Sequence, residues 1–172
     1  MHATRRATPA DLPAILALVR RVVPLMNASG NFQWSAYYPN EAVFRADIEQ
    51  GQLWVVERAG VVVGVAALTQ DQDAEYAQAD WDVTEPALVT HRLAVDPAAQ
   101  GKGVALALMH QAEKQAHAQG LRTLRVDTNS ENAATQRLFP KLGYRFAGEI
   151  GLAFRPGLRF FCYEKRLSRP VD

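Results

Sequence analysis

The sequence is poor in cysteine and in net charge, and each shortage excludes a class of protein. Cys162 is the only cysteine among 172 residues. This excludes an internal disulfide and any zinc site made of cysteines alone, and it favours a reducing, cytoplasmic location. Lysine and arginine number 19 against 18 aspartates and glutamates, for a formal net charge of +1. Without a basic excess or a long basic run, we expect no nucleic-acid partner.

Long apolar runs are also missing. No segment approaches the length of a membrane-spanning helix, and the N-terminal region has Pro9, Asp11 and Pro13 in place of the apolar stretch of a secretory signal. The chain is nevertheless 48% hydrophobic, which is enough for one well-filled core. We therefore expect a single domain over residues 1–172, with no membrane partner.

The four histidines are scattered along the chain and give no metal-ligand pattern. His110 and His117 lie seven residues apart in a predicted helix, without a carboxylate or cysteine at ligand spacing. We expect solvated helix histidines and no metal.

Hydrophobic periodicity and turn residues predict alternating strands and helices. Thr8, Pro9 and Asp11 supply an N-cap, a first-turn proline and an acidic third position, so a helix begins there, and its apolar pattern ends at Pro24. Pro156-Gly157 predicts the turn of a C-terminal hairpin. The other helices are predicted at residues 41–50, 103–118 and 132–142, and the strands at residues 1–7, 53–57, 61–68, 88–95, 121–128, 144–150 and 158–167. This order indicates an α/β domain.

Two glycines precede the helix predicted at residues 103–118. Gly101 and Gly103 have no Cβ, so a phosphate could approach the unpaired N–H groups of the helix N-terminus, and Lys102 adds a positive charge. On the glycines alone, a flexible turn explains the stretch equally well. A P-loop would have Ser or Thr after Gly-Lys, and a dinucleotide fingerprint would have a third glycine. Neither is present, which disfavours an NTPase and a dehydrogenase.

Two motifs carry a resemblance to a known family. Residues 93–97 read Leu-Ala-Val-Asp-Pro, residues 100–105 read Gln-Gly-Lys-Gly-Val-Ala, and Asn132 is followed by Leu-Phe-Pro-Lys-Leu-Gly-Tyr at residues 138–144. In order and separation they resemble the acyl-CoA motifs of the GNAT superfamily of N-acyltransferases. The resemblance implies a mixed, mostly antiparallel central sheet flanked by helices, with splayed central strands that form the acyl-CoA cleft. It also implies direct transfer, in a ternary complex, of an acetyl group from the co-substrate acetyl-CoA to a primary amine.

The resemblance assigns the acyl-CoA to particular residues. Asn132 would bind the pantetheine arm. Phe139 stands where many members carry the tyrosine that is thought to protonate the departing thiolate, and phenylalanine has no hydroxyl. Near the thioester, a backbone N–H could polarise the carbonyl. The backbone of Leu93, Ala94 and Val95 would face pantetheine and thioester, and the pyrophosphate would be held by Gln100, Gly101, Lys102, Gly103, Val104, Ala105 and Leu106.

Two residues are candidates for the general base that a mostly protonated amine requires. Asp127 lies where ribosomal-protein alanine N-acetyltransferases carry a glutamate base, and a carboxylate that caps the following turn is the alternative. His91 lies where arylalkylamine N-acetyltransferases have a catalytic histidine. Strand alternation places it on the side of Val89 and Leu93, so a core histidine is the alternative.

The acceptor is a small-molecule or peptide amine in this interpretation. Family members usually wall the acceptor site with loops that here hold aromatic and acidic residues, which suit a cation: Phe32, Trp34, Tyr37, Tyr38, Glu75, Tyr76, Trp81 and Asp82. Packing over the core is the alternative for Trp34, Tyr37 and Tyr38. The missing hydroxyl at Phe139 leaves open an acyl-CoA-binding regulatory or interaction domain with weak or lost catalysis. A homodimer edge and burial within the monomer both explain the apolar strand at residues 158–167.

Overall fold

A computed structural model describes residues 2–169 of the chain, so residues 1 and 170–172 of the predicted domain lie outside the described range. No helix within these residues is long and apolar enough to cross a membrane. The four helices are α1 (Leu12–Ala28), α2 (Glu41–Glu49), α3 (Val104–Ala118) and α4 (Ala133–Lys141). The strands are β1 (Ala3–Arg6), β2 (Leu53–Arg58), β3 (Val61–Thr69), β4 (Leu88–Val95), β5 (Thr123–Asn129), β6 (Arg145–Leu152) and β7 (Arg155–Arg166).

The chain divides into two compact units, and the first comprises residues 2–68 and 91–112 of the described range. In it β1, β2 and β3 pair antiparallel, with Ala3 opposite Glu57 and Leu53 opposite Ala67. The helices α1 and α2 bury one face each, so the core contains residues that are fully or nearly fully buried: Ile15, Leu18, Phe44, Val55 and Val65. The predicted capping box is confirmed, since the backbone N–H of Thr8 donates to Asp11 Oδ2 at 2.7 Å.

The helix α1 continues past Pro24, where its apolar pattern was predicted to end. Pro24 lies within the helix, which runs to Ala28. Proline removes one intrahelical hydrogen bond, but Val23 is buried and Met26 packs against the same core. Tertiary packing on both sides of the proline therefore maintains the helix for four more residues.

The start of α3 packs closely on β3 within this unit. A Cβ built on Gly64 would lie 2.4 Å from Val104 Cγ1 and 3.3 Å from Leu108 Cδ1. Val104 and Leu108 are each 1% exposed, in a cluster with Val56 and Val63. Only a residue without a side chain leaves room for the first turn of α3 at this distance from the strand.

The second unit comprises residues 69–90 and 113–169 of the described range. The first residues of β4 pair parallel with β5, β5 pairs antiparallel with β7 over its whole length, and β7 pairs antiparallel with β6. The core of the unit contains aromatic and apolar residues from a short 3₁₀ helix (Ala74–Gln78) and from these strands: Tyr76, Val89, Ile150, Phe160 and Cys162.

The C-terminal hairpin turns earlier than Pro156-Gly157 predicted. Leu152 pairs with Arg155, so the turn residues are Ala153 and Phe154. The next pair along the two strands is Ile150 with Phe160, and the register between the two pairs is irregular. Pro156 and Gly157 therefore lie in an irregular stretch at the start of β7, where a residue without an N–H and a glycine with φ of 81° are tolerated.

The predicted fold class is confirmed: a mixed α/β fold with a seven-stranded, mostly antiparallel sheet flanked by helices, in the strand order β1-β2-β3-β4-β5-β7-β6. The parallel register of β4 with β5 covers only Leu88 to Thr90 of β4. The predicted splaying of the central strands and the acyl-CoA cleft remain predictions. The strand β7 is hydrogen-bonded to a neighbour along both edges, and Phe160, Cys162 and Tyr163 are buried within the chain. A homodimer remains a prediction.

Candidate active site

The loop before α3 exposes its backbone as the sequence predicted. Gly101 and Gly103 have φ of 72° and 79°, the left-handed region that favours glycine. A Cβ on Gly101 would meet nothing within 4 Å, and one on Gly103 would meet only His2 Nε2, at 3.8 Å. The helix that follows has 15 residues, and its first N–H groups have no acceptor inside the helix. The segment therefore offers accessible donors at the positive end of a helix dipole.

Several contacts hold this loop in place. Asp96 Oδ1 accepts from the Ala98 N–H at 2.9 Å, and Asp96 also binds Arg21 at 2.5 Å. Burial raises the pKa of Asp96, but these two partners more than offset it and lower the pKa overall. Lys102 Nζ donates to the Ala98 carbonyl at 3.0 Å, so the ammonium group predicted to meet the pyrophosphate also braces its own loop.

The other residues predicted for the pyrophosphate differ in exposure. Gln100 and Leu106 are exposed, Ala105 is half-buried and Val104 is buried in the core. The side chain of Val104 is therefore closed to a ligand, and the role of Val104 in holding the pyrophosphate remains a prediction. On β4, Ala94 is buried, while Leu93 and Val95 are half-buried and pack against the cluster that contains Val104.

Arg92 introduces a strained backbone into β4 directly before Leu93. Its φ is 54°, which costs a residue with a side chain about 1–2 kcal/mol. Its guanidinium forms two hydrogen bonds with Asp47 on α2, from Nε to Oδ2 and from Nη2 to Oδ1, both at 2.7 Å. Burial lowers the pKa of Arg92, but the Asp47 carboxylate, followed by Tyr38, more than offsets it, so the pKa is raised and the charge is retained.

His91 is half-buried on β4, directly before this left-handed residue. Strand alternation requires extended backbone at every residue, and Arg92 is not extended. The argument that placed His91 on the face of Leu93 therefore does not hold across this step. The roles of His91 as base or as core residue both remain predictions.

Asp127 lies in the middle of β5, opposite Cys162 on β7. It is half-buried, and its Oδ2 accepts a hydrogen bond from the hydroxyl of Tyr76. Tyr76 is fully buried, and burial together with the Asp127 charge raises its pKa, so the phenol stays a neutral donor. The turn after β5 is capped by Asn129, whose Oδ1 accepts from the Glu131 N–H at 2.9 Å.

A buried arginine ties the acidic loop of the second unit to the sheet. Arg125 is 0% exposed and its Nε donates to Glu164 Oε2 at 2.9 Å. Its other nitrogens donate to Gln72 Oε1 at 2.6 Å and to the Asp82 carbonyl at 2.7 Å. Its guanidinium carbon lies 4.9 Å from the centre of the Trp81 ring. The segment that contains Gln72 and Asp82 is thus held by a charge-assisted network.

The residues predicted for the acceptor loops fall into different environments. Trp34 is 3% exposed in the core of the first unit, as the packing alternative expected, whereas Tyr37 is 85% exposed. Glu75 accepts from the Ala153 N–H at 3.0 Å, and this hydrogen bond lowers its pKa. Asp82 accepts from Thr84, which lowers its pKa as well. Asp82 therefore shapes its own loop, whereas Glu75 binds the turn between β6 and β7.

Asn132 and Phe139 both have structural roles in this fold. Asn132 is the N-cap of α4, and its Oδ1 accepts from the Thr135 N–H at 3.2 Å. The cap uses the carbonyl oxygen, and the amide nitrogen is not part of it. Phe139 is fully buried, with ring centres 5.8 Å from Tyr144 and 5.4 Å from Tyr163. Their predicted contacts with the cofactor remain predictions.

Comparison with known proteins identifies the class of enzyme. Residues 19–144 match the model of the GNAT acetyltransferase family, and the chain belongs to this family. It is 31% identical over 150 residues to an L-methionine sulfoximine/L-methionine sulfone acetyltransferase of Pseudomonas paraeruginosa, a match that covers 85% of this chain and 81% of the relative. The protein is therefore an acyltransferase.

Solved structures agree with this assignment. A GNAT-family acetyltransferase from Streptococcus agalactiae is similar with a TM-score of 0.80 and 26% identity, covering 98% of this chain and 96% of that one. An acetyltransferase from Salmonella typhimurium, solved with its cofactor acetyl-CoA, has a TM-score of 0.69 and 23% identity, with 99% and 96% covered. The second likeness shows the fold.

Proposed function

We propose that the protein is an acetyl-CoA-dependent N-acetyltransferase that acetylates the primary amine of a small amino acid of the methionine sulfoximine or sulfone type. The acceptor class is supported by the relative that shares 31% identity over 85% of this chain and bears that activity in its name. The use of acetyl-CoA is supported by one observation above all. The glycines at 101 and 103 leave bare backbone at the front of a 15-residue helix, which suits a pyrophosphate.

Direct attack in a ternary complex is supported by the state of the only cysteine. Cys162 is fully buried. Burial raises the pKa of its thiol, and the charge of Asp127 raises it further. Only a thiolate is an effective acyl acceptor, so an acetyl-cysteine intermediate is disfavoured. The acetyl group would pass straight from acetyl-CoA to the amine.

The amine must lose a proton, and His91 and Asp127 are the proposed bases. His91 lies on β4 and Asp127 on β5. The departing CoA thiolate needs no acid from the protein, because a free thiol has a pKa of roughly 8.5 and its thiolate is a tolerable leaving group. This agrees with a phenylalanine at position 139. A backbone N–H within Leu93 to Val95 would stabilise the oxyanion.

Thiol release tests the proposal. Purified protein is mixed with acetyl-CoA and, separately, with L-methionine sulfoximine, L-methionine sulfone, a peptide N-terminus, a polyamine and an amino sugar. We expect CoA release that depends on one of the first two amines. When both substrates are varied, the double-reciprocal plots of initial rate should give intersecting lines. Release with only another amine would overturn the acceptor class, and parallel lines would overturn direct transfer.

The proposed bases are tested by replacing both, His91→Ala with Asp127→Asn. We expect turnover to fall by at least a hundredfold, in line with general acid-base catalysis, while calorimetry gives an unchanged Kd for CoA. A matched control replaces His110 and Asp80, which are exposed, by Ala and Asn. Unchanged turnover in the first double variant would remove both residues from the mechanism.

A second function is an acyl-CoA-binding regulatory or interaction domain with weak or lost catalysis. The observation that favours it is Phe139, which has no hydroxyl and is fully buried. It would be accepted if calorimetry detects CoA binding while no amine in a broad panel supports thiol release. Absence of any CoA binding would overturn both functions.

A further inference from the structure

The left-handed residue in β4 directly precedes the backbone that the proposed function assigns to the thioester. Arg92 has φ of 54°, and Leu93 to Val95 follow it in the same strand. The backbone angles of Arg92 set the plane of the next peptide, and hence the direction of the Leu93 N–H. An extended residue at this position would turn that N–H group elsewhere. The conformation of Arg92 therefore decides where the proposed donor points.

Nothing local in the sequence favours this conformation. Arginine is not among the residues that visit the left-handed region readily, which are glycine and, less often, asparagine and aspartate. Such a residue persists only where the surrounding structure holds it. The side chain of Arg92 is held by Asp47 and also contacts Tyr38, and these contacts can constrain the backbone.

The constraint is a two-pronged ion pair with Asp47. The two hydrogen bonds measure 2.7 Å each, and the side chains of Arg92 and Asp47 are 17% and 4% exposed. Asp47 is fixed in turn, because its Oδ1 accepts from Gln52 Nε2 at 2.9 Å and its backbone carbonyl accepts from the Gln52 N–H at 3.0 Å. A planar guanidinium held by both oxygens of one carboxylate is fixed in direction as well as in position.

We infer that Asp47 and Arg92 are positioning residues for acetyl transfer, and that their ion pair holds the left-handed backbone that aims the Leu93 N–H. Neither side chain contacts substrate in this inference. It rests on the proposed function only in naming the thioester as the group served. The geometric part, that the ion pair holds the backbone, stands on the contacts alone.

Glycine at position 92 separates this role from others, because glycine adopts a positive φ without help. Two double variants are compared, Arg92→Gly with Asp47→Asn and Arg92→Ala with Asp47→Asn. Asparagine keeps the acceptor for Gln52 and avoids a buried unpaired charge. We expect the glycine variant to keep kcat within about threefold of the wild type. We expect the alanine variant to lose roughly a hundredfold in kcat, as a misplaced catalytic group does, with the KM for acetyl-CoA unchanged.

The matched control is Arg45→Ala. Arg45 pairs with Glu41 on the same helix at 2.5 Å but is about half exposed, so its replacement should leave kcat unchanged. Equal loss of kcat in the glycine and alanine variants would mean that the Arg92 side chain itself serves the reaction, and would overturn the inference. So would equal retention of kcat in both.

Crystal structures of the two double variants give a readout that needs no activity. The inference expects a positive φ at position 92 with glycine and an extended backbone with alanine. If alanine keeps φ near 54°, the ion pair does not hold the backbone and the inference fails, whatever the enzyme's substrate. If the wild type releases no thiol with any amine while the φ values behave as expected, the proposed function fails and the geometric inference stands.

Discussion

Replacing Gly64 by alanine tests how closely α3 packs on β3. The added Cβ would lie 2.4 Å from Val104 Cγ1, whereas carbon atoms in favourable contact are about 3.5–4.0 Å apart. One of the two must therefore move by roughly 1 Å or more. Val104 is β-branched and 1% exposed, so it cannot rotate away into solvent.

The expected magnitude is the difference between two effects. Overpacking of a filled core costs about 1–3 kcal/mol. Alanine restricts the unfolded chain relative to glycine, which returns about 0.4–1 kcal/mol. The free energy of unfolding should therefore fall by about 1–2 kcal/mol, and Tm by roughly 2–8 °C for a chain of this length.

Urea denaturation of four proteins isolates the contact: the wild type, Gly64→Ala, Val104→Ala and the double variant. Removing the Cγ atoms of Val104 removes the clash, so Gly64→Ala should cost little in the Val104→Ala background. The double variant should therefore be more stable, by about 1–2 kcal/mol, than the sum of the two single-variant effects predicts. Calorimetry with CoA on the same proteins would report whether a displaced helix start also weakens cofactor binding.

Gly151→Ala is the matched control, because Gly151 also lies in a strand without a positive φ and its nearest atom is the flexible end of Arg159, at 3.4 Å. It should change the free energy of unfolding by less than about 0.5 kcal/mol. If Gly64→Ala destabilises the protein equally in both backgrounds at position 104, the clash with Val104 is not the cause and the reasoning is refuted.

Three further predictions follow from the contacts described above. Tyr76→Phe removes the hydroxyl that donates to Asp127. The loss of this hydrogen bond destabilises the carboxylate, so the acidic limb of the pH-rate profile should move to higher pH. If the acidic limb does not move, Asp127 is not the base whose ionisation this limb reports. Gly101→Ala should weaken CoA binding at least tenfold in calorimetry, whereas Gly157→Ala, with a similar φ and open space, should not; equal affinities would exclude the loop. Asp11 has its pKa lowered to about 2, chiefly by Arg5, so its contribution to stability is present above pH 4 and is lost as the pH falls towards 2. Asp11→Asn removes the charge that pairs with Arg5, so it should lower the free energy of unfolding by up to about 1 kcal/mol at pH 7. The difference from the wild type should narrow on acidification, and a difference independent of pH would contradict this.

The sequence predicted correctly those helices, strands and caps that are determined by residues a few positions apart in the chain. The strand β4 has the predicted bounds, and α3 begins one residue after the predicted start. Thr8 and Asp11 form the predicted capping box, because both partners belong to one turn. The prediction of a hairpin turn at Pro156-Gly157 was wrong, because β6 and β7 pair around residues 153 and 154. Strand pairing overrides local turn preference here.

The interactions around the proposed bases could not be read from the sequence. Tyr76 was interpreted as part of an acceptor wall and instead donates to Asp127, 51 residues away. Arg125 was not singled out at all, although it is the largest fully buried side chain in the described part of the chain. An arginine in a strand is normally exposed, and only the simultaneous presence of Glu164, Gln72 and Asp82 around it makes burial tolerable.

The sequence by itself determined the family, the order of the strands and helices, and the bare backbone before α3, because glycine spacing and apolar periodicity act over one or two turns of chain. Tertiary structure alone decided the backbone of Arg92, which depends on Asp47, 45 residues away. A left-handed arginine has no local cause, since its intrinsic preference opposes that conformation. It exists only because packing brings a buried carboxylate to the guanidinium, and packing is a property of the whole fold.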